Sequence, residues 1–201
     1  MAGFRRHRRS GAAVATFTVY EADLIRSLAA QLIELLRNEA ATGSVEADPL
    51  ESLLDSADID ISGDFAGPTA APEDPVLARL FPTAYPDDEE AAGDFRRFTE
   101  ATLRDGKASA ASFVIDTLEE SGLPPEPEEG MFIDVELDPP AAMTWMRCFT
   151  DMRLAIATRL GVEEGDEDFW ASLPDDDPGA QIHDIYDWLG YLQETLVHAA
   201  G

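Results

Sequence analysis

Residues 131–137 read MFIDVEL, with Met131, Ile133, Val135 and Leu137 alternating against Phe132, Asp134 and Glu136. A period of two puts one set of side chains on a dry face and the other in water, the pattern of a strand in a half-wet antiparallel sheet. Such a strand needs a neighbour. Residues 3–20 supply one as a β-hairpin: Phe4 to Arg8 and Ala13 to Tyr20 flank the turn residues Ser10 and Gly11, and the second arm is β-branched and aromatic. Pairing of the 131–137 strand with this hairpin would let its acids face Arg5, Arg6, Arg8 or Arg9 across strands, where opposite charges support each other.

The rest of the chain reads as helices. Glu21 to Ala40 carries Leu24, Ile25, Leu28, Leu32, Leu35 and Leu36 as one stripe, begins with Glu21 and Asp23, and is stopped by Gly43. Short helices are expected at Asp48 to Leu54, with Pro49 in the first turn, and at Val76 to Phe81, ending before Pro82. A long pattern runs from Asp88 to Glu120. Its expected inward side is Phe95, Phe98, Thr102, Ala110, Phe113, Val114 and Leu118, and Gly106 bends or breaks it at a cost of about 1 kcal/mol relative to Ala. Pro140 to Leu160 turns Trp145, Phe149, Met152, Ile156 and Leu160 inward and is capped by Gly161. Gln181 to Ala199 carries Ile182, Ile185, Tyr186, Leu189, Leu192 and Leu196.

Three stretches lack a period. Residues 55–74, rich in Asp, Gly, Pro and Ala, predict a mobile acidic loop; 121–130 form a Pro/Glu connector; 162–180 are acidic, with Phe169, Trp170 and Leu173 as anchors. The expected fold is α+β, mostly α: a bundle of about four main helices with a small antiparallel sheet, in a single domain over residues 1–201.

The chain has 201 residues with 14 Lys and Arg against 41 Asp and Glu, a formal net charge of −27. Arg5, Arg6, Arg8 and Arg9 all precede the first acid, so the remainder is more acidic still. Such a surface repels phosphate, which argues against a general nucleic-acid or anionic-membrane binder. A hydrophobic fraction of 45% argues against a wholly disordered acidic chain. One cysteine excludes an intrachain disulfide and a Cys-based zinc site. No run of 18 apolar residues is present, and Ala12 to Val19 reads as a strand, not a signal segment. The expected compartment is the cytoplasm.

The run Arg5-Arg6-His7-Arg8-Arg9 is the one concentrated positive feature, a candidate contact for nucleic acid or an acidic partner, or else an internal balance for the chain's own acids across the sheet. Cys148 lies beside Arg147, a cation that could lower its thiol pKa and make it a redox candidate; the alternative is a small buried hydrophobe. Asp58, Asp60, Ser62 and Gly63 resemble half a calcium loop, but Thr69 stands where the bidentate Glu belongs. The clusters Asp87–Glu90, Asp166–Asp168 and Asp175–Asp177 read as helix starts and solubilising loops. His7, His183 and His198 show no two-histidine metal spacing. Arg147 and Asp151 are spaced to pair on one helix, while Arg153 and Arg159 are placed to hold carboxylates of the helices at 181–199 or 21–40. No nucleophile elbow, phosphate loop or dinucleotide fingerprint occurs. The residues therefore predict no enzyme, no cofactor and no metal.

Taken in order, YEADLIRSLAAQLIELL (20–36), DPVLARLFPTAY (74–85), FRRFTEATLRDGK (95–107), TWMRCFTDMRLAIATRLGV (144–162) and YDWLGYLQETLVHA (186–199) resemble an actinobacterial family of unknown function whose members are labelled AosR-like oxidative-stress regulators. The resemblance covers nearly the whole chain. It implies a cytoplasmic, transcription-associated protein in which oxidation of a Cys-x-x-x-Cys pair switches binding to an alternative sigma factor. Genes of such proteins typically lie near that of the ClpS protease adaptor. This sequence departs from the pattern at that pair, since Cys148 is its only cysteine. The expectation is a non-enzymatic regulator working by protein–protein contact, through a sigma factor or RNA polymerase. The alternatives are an adaptor in regulated proteolysis and direct DNA binding through Arg5, Arg6, Arg8 and Arg9.

Overall fold

The computed structural model describes residues 3–42, 67–174 and 176–201. The expected helix at Asp48 to Leu54, the half calcium loop, the stop at Gly43 and most of the expected loop at 55–74 lie outside the described residues. In chain order the elements are β1 (Arg5–Arg6), β2 (Ala13–Thr18), α1 (Val19–Thr42), α2 (Pro75–Leu80), α3 (Glu89–Glu120), β3 (Phe132–Leu137), α4 (Pro139–Leu160), α5 (Glu167–Ala171) and α6 (Pro178–Ala200). This is the α+β, mostly helical architecture that the sequence pattern predicts.

The sheet is antiparallel in the order β1-β2-β3. Alternation decides its faces: Ala13, Ala15 and Phe17 of β2 and Ile133, Val135 and Leu137 of β3 are buried, while Phe132, Asp134 and Glu136 face water. Met131, expected on the dry face, lies just outside the strand and is exposed. Because β2 is central, β3 never meets β1. The acids of β3 therefore do not face the arginines: Asp134 accepts from Thr16 Oγ1 at 2.6 Å and Glu136 from Ser10 Oγ at 3.0 Å.

β2 runs straight into α1, two residues earlier than the stripe predicts, because Thr18 and Glu21 form a capping box. The Glu21 carboxylate accepts from Thr18 N and Oγ1 at 2.8 and 3.0 Å, and Glu21 N donates to Thr18 Oγ1 at 3.2 Å. Four of the other helices start on an aspartate cap, while α5 has no side-chain cap. Asp74 caps α2, Asp88 caps α3, Asp138 caps α4 and Asp177 caps α6, and each carboxylate accepts at least one N–H of the first turn. α4 ends at Gly161, whose left-handed φ of 71° suits a residue without Cβ.

α1 packs along α3, α6 along α4, and α2 and α3 also rest on α4. Trp145 and Phe149 of α4 sit at the centre with Phe4 and Phe17 of the hairpin; Phe4 meets Phe17 and Trp145 edge-on at 5.7 and 5.9 Å. α3 departs from expectation. It passes Gly106 unbroken, with the glycine facing solvent, so the roughly 1 kcal/mol that glycine costs relative to Ala does not interrupt the helix. Val114 and Leu118 point inward as predicted, but Phe95, Phe98, Thr102 and Phe113 are exposed, and the inward residues of its first half are Gly93, Arg96 and Glu100. Ile182 of α6 and Phe169 of α5 are likewise exposed, because both belong to a short outer corner that the core does not reach.

Candidate functional site

The basic run is built on β1 and the turn that follows. His7 N donates to Ala12 O at 2.8 Å and Gly11 N to His7 O at 2.9 Å, with Gly11 at φ 73°. Ser10 Oγ lies 2.7 Å from His7 Nδ1. The strand is pinned from behind by buried Phe4, whose N–H donates to Thr195 Oγ1 of α6 at 3.1 Å. Arg5, Arg6, Arg8 and Arg9 all project into solvent and, with His7 and Val14, line a shallow groove of about 430 Å³. None of the four side chains makes an ion pair or hydrogen bond among the described residues. The balance with the chain's own acids across the sheet, expected as one reading of the run, is thus not made.

Cys148 lies on the inner side of α4 and is 1% exposed. Burial, helped by the nearby Asp151 carboxylate, pushes its thiol up to about 12. Arg147, the cation expected to lower it, is exposed. Arg147 does not pair with Asp151 either. Asp151 is held by Lys107 of α3 at 2.6 Å. Arg153 donates to Gln193 Oε1 at 3.0 Å and stacks over Tyr186 at 4.7 Å; Arg159 pairs with the Asp74 cap at 2.6 Å rather than with α6 or α1.

Two arrangements escape the sequence reading. One is a buried charge line on α3: Glu100 binds Arg96 at 2.9 Å and Arg104 at 2.6 Å, and the two arginines also donate to Phe81 O and Leu36 O. Four-residue spacing was the available signal, but nothing in the sequence says that the line faces inward. The other is a cleft of about 800 Å³ between α4, α5 and the start of α6. There Trp170 stacks on His183 at 4.7 Å and donates to Asp166 Oδ2 at 2.7 Å, and Asp187 stands 3.6 Å from His183. The Asp166 carboxyl is held below its ordinary range, first by the Glu163 N–H. Asp88 and Asp177, from two of the acid clusters, are spent as helix caps. Among the described residues no three His, Cys, Asp or Glu side chains converge as metal ligands, and no helix is long and apolar enough to cross a membrane.

Fold and surface together define a small, strongly acidic α+β protein with one exposed arginine cluster and one buried thiol. The chain belongs to the family described as a domain of unknown function, DUF2017, whose model matches residues 1–200. It is 32% identical over 193 residues to "Putative oxidative stress regulator AosR" of Mycobacterium leprae (strain TN), covering 90% of this chain and 78% of that protein. It is 32% identical over 192 residues to "Oxidative stress regulator AosR" of Mycobacterium tuberculosis (strain ATCC 25618 / H37Rv), covering 89% and 77%. No solved structure matches the chain.

Proposed function

We propose that this protein is a non-enzymatic, cytoplasmic regulator of the response to oxidative stress, working by contact with a basic surface of a sigma factor or RNA polymerase. The observation that carries the reading is its 32% identity, over nine-tenths of its length, to proteins named oxidative stress regulators. The charge of −27 supports the choice of partner: a surface of this sign repels DNA and suits a protein face that itself binds DNA. The buried thiol supports regulation by docking rather than by a disulfide within the chain, since the reactive form of cysteine is the thiolate and Cys148 has no second cysteine to meet. The test is a pull-down of purified sigma factors and polymerase at low and high salt, with and without peroxide, and with Cys148→Ser beside the wild type. Salt-sensitive capture that survives Cys148→Ser is expected; no capture at low salt overturns the reading.

A second reading rests on the four unpaired arginines of the β1 turn, which offer a phosphate contact. It expects weak DNA binding at low salt whose salt slope falls in Arg6→Ala and Arg8→Ala. Absence of wild-type binding at low salt removes it.

A further inference from the structure

α3 turns its charged side inward and much of its aromatic side outward. Phe95, Phe98, Leu103 and Phe113 are 43%, 66%, 48% and 41% exposed, whereas Arg96 and Glu100 are buried. At about 100° per residue, Phe95, Thr102, Gly106 and Phe113 fall on one line of the helix, roughly 27 Å long, and no charged residue shares it. The line is open at its middle, where a Cβ on Gly106 would meet nothing within 4 Å. It deepens there, on the side away from the aspartates, into a groove of about 440 Å³ lined by Ala110 and Phe113 of α3 and Thr144 and Thr150 of α4, together with the Lys107–Asp151 pair and the exposed Arg147. Along one edge stand Asp94, Asp105 and Asp116, all exposed, spaced at about three helical turns so that they stack in a row. Among the described residues none of the three has an ion-pair partner.

We infer that this face of α3 is the docking site for an amphipathic helix of a partner protein, one that carries apolar side chains on its inner line and lysines or arginines along one edge. The inference rests on the protein-contact reading above and gives it a place. Helix-in-groove recognition uses anchors three, four and seven residues apart, and the uncharged line with its open centre accepts such anchors. The aspartate row sets the sign of the partner's edge. It also argues against a second copy of this chain: in an antiparallel two-fold pair of α3 helices the same edges meet, so the aspartate rows would oppose each other.

The test uses the full chain and a synthetic 21-residue helical peptide with leucines on one face and lysines along one edge. Its controls are a scrambled peptide of the same composition and a version with glutamates for lysines. The lysine helix is expected to bind with an affinity that falls with salt, the scrambled peptide at least tenfold more weakly, and the glutamate helix not at all. Phe98→Ser combined with Phe113→Ser should weaken binding tenfold or more. Both side chains are exposed, so an unchanged thermal melt will show that the fold is intact. Asp94, Asp105 and Asp116 changed together to Asn should flatten the salt dependence, while Asp168, Asp176 and Asp184 changed to Asn should leave it unchanged. Equal binding of the scrambled peptide, or equal effects of the two aspartate sets, overturns the inference. So does a wild-type dimer in sedimentation that Phe98→Ser dissolves, which assigns the face to a second copy. Capture of polymerase that survives the double Phe→Ser variant sinks this surface and leaves the proposed function standing. A wild type that binds the peptide specifically but captures no sigma factor or polymerase does the reverse.

Discussion

Lys107 Nζ on α3 and Asp151 Oδ1 on α4 stand 2.6 Å apart, 44 residues apart in the chain, with the carboxylate side chain only 8% exposed. Burial pushes the Asp151 carboxyl up; the hydrogen bond and charge of Lys107 pull it back without cancelling the rise. The pair is thus a partly compensated buried charge that ties the two helices together.

Removal of one partner should expose that cost. Lys107→Met strands the carboxylate and is expected to lower unfolding free energy by about 3 kcal/mol, read from urea melts. A carboxyl raised above its unfolded value of 3.8 holds its proton more tightly when folded, so its contribution declines as pH climbs through the raised value. The Lys107→Met chain should therefore lose stability more steeply than the wild type from about pH 4 upward. The double variant Lys107→Met with Asp151→Leu should recover most of the loss. A single variant within about 0.5 kcal/mol of the wild type would show the pair to be dispensable.

β3 was legible because one dry face and one wet face leave a period of two, and the observed burial repeats it residue by residue. Strand order was not, since nothing local says that the arm Ala13–Thr18 sits between the other two strands and separates the arginines from the acids. Helix ends were legible to within a few residues from Asp, Pro and Gly. The inside of α3 was misread because phenylalanine is usually buried and arginine is not. Arg96 and Arg104 are nevertheless drawn in by the shared Glu100 and by carbonyls at Phe81 and Leu36. Two of those three partners lie far away in sequence, as Lys107 does from Asp151, and spacing on one helix cannot reveal them. Of the candidate site residues, exposure of the arginines and burial of Cys148 are tertiary facts, although an apolar stripe beside Cys148 hinted at the second.

Glu100 should be the most sensitive charged residue on α3. It is 2% exposed and binds two arginines, with Arg104 also lying 4.8 Å over the Phe81 ring. Glu100→Leu leaves both guanidinium groups without their carboxylate, and a loss of about 3–5 kcal/mol is expected. For a chain of this size that corresponds to a fall of roughly 10 °C in the thermal midpoint. A drop of under about 2 °C would mean that the carbonyls alone hold the arginines.

Asp74 joins a helix cap to an ion pair. Its carboxylate accepts from Val76 and Leu77 N–H at 2.7 and 3.3 Å and from Arg159 at 2.6 Å. Burial raises its carboxyl, but these bonds together outweigh burial and hold it below the ordinary value. A lowered carboxyl stabilises the fold above its unfolded value of 3.8, and that contribution fades as pH falls through the folded one. Asp74→Ala should cost about 1 kcal/mol at pH 7, chiefly from the lost cap, and progressively less as pH falls below 3.8 and through the folded value, where the wild type loses it too. A cost independent of pH between 7 and 2.5 would assign the effect to packing instead.

Cys148 offers the sharpest check on how oxidant could reach this protein. Its thiol is held near 12 against an ordinary 9.0 by burial first and by the Asp151 carboxylate second. Below pH 9 it is protonated in both folded and unfolded chains. Above that, the unfolded chain ionises while the folded one keeps its proton, so stability falls with rising pH by up to about 1.4 kcal/mol per unit until the folded value is passed. Cys148→Ala should remove this part of the alkaline decline, which isolates it from the other groups that titrate there. The same burial predicts that a thiol reagent at pH 8 labels the folded chain at least 100-fold more slowly than the urea-unfolded one. The rate should rise along the same urea transition that unfolding follows. Rapid labelling or sulfenylation of the folded chain would mean that the α4 core opens locally without unfolding, and would return Cys148 to the role of a sensor.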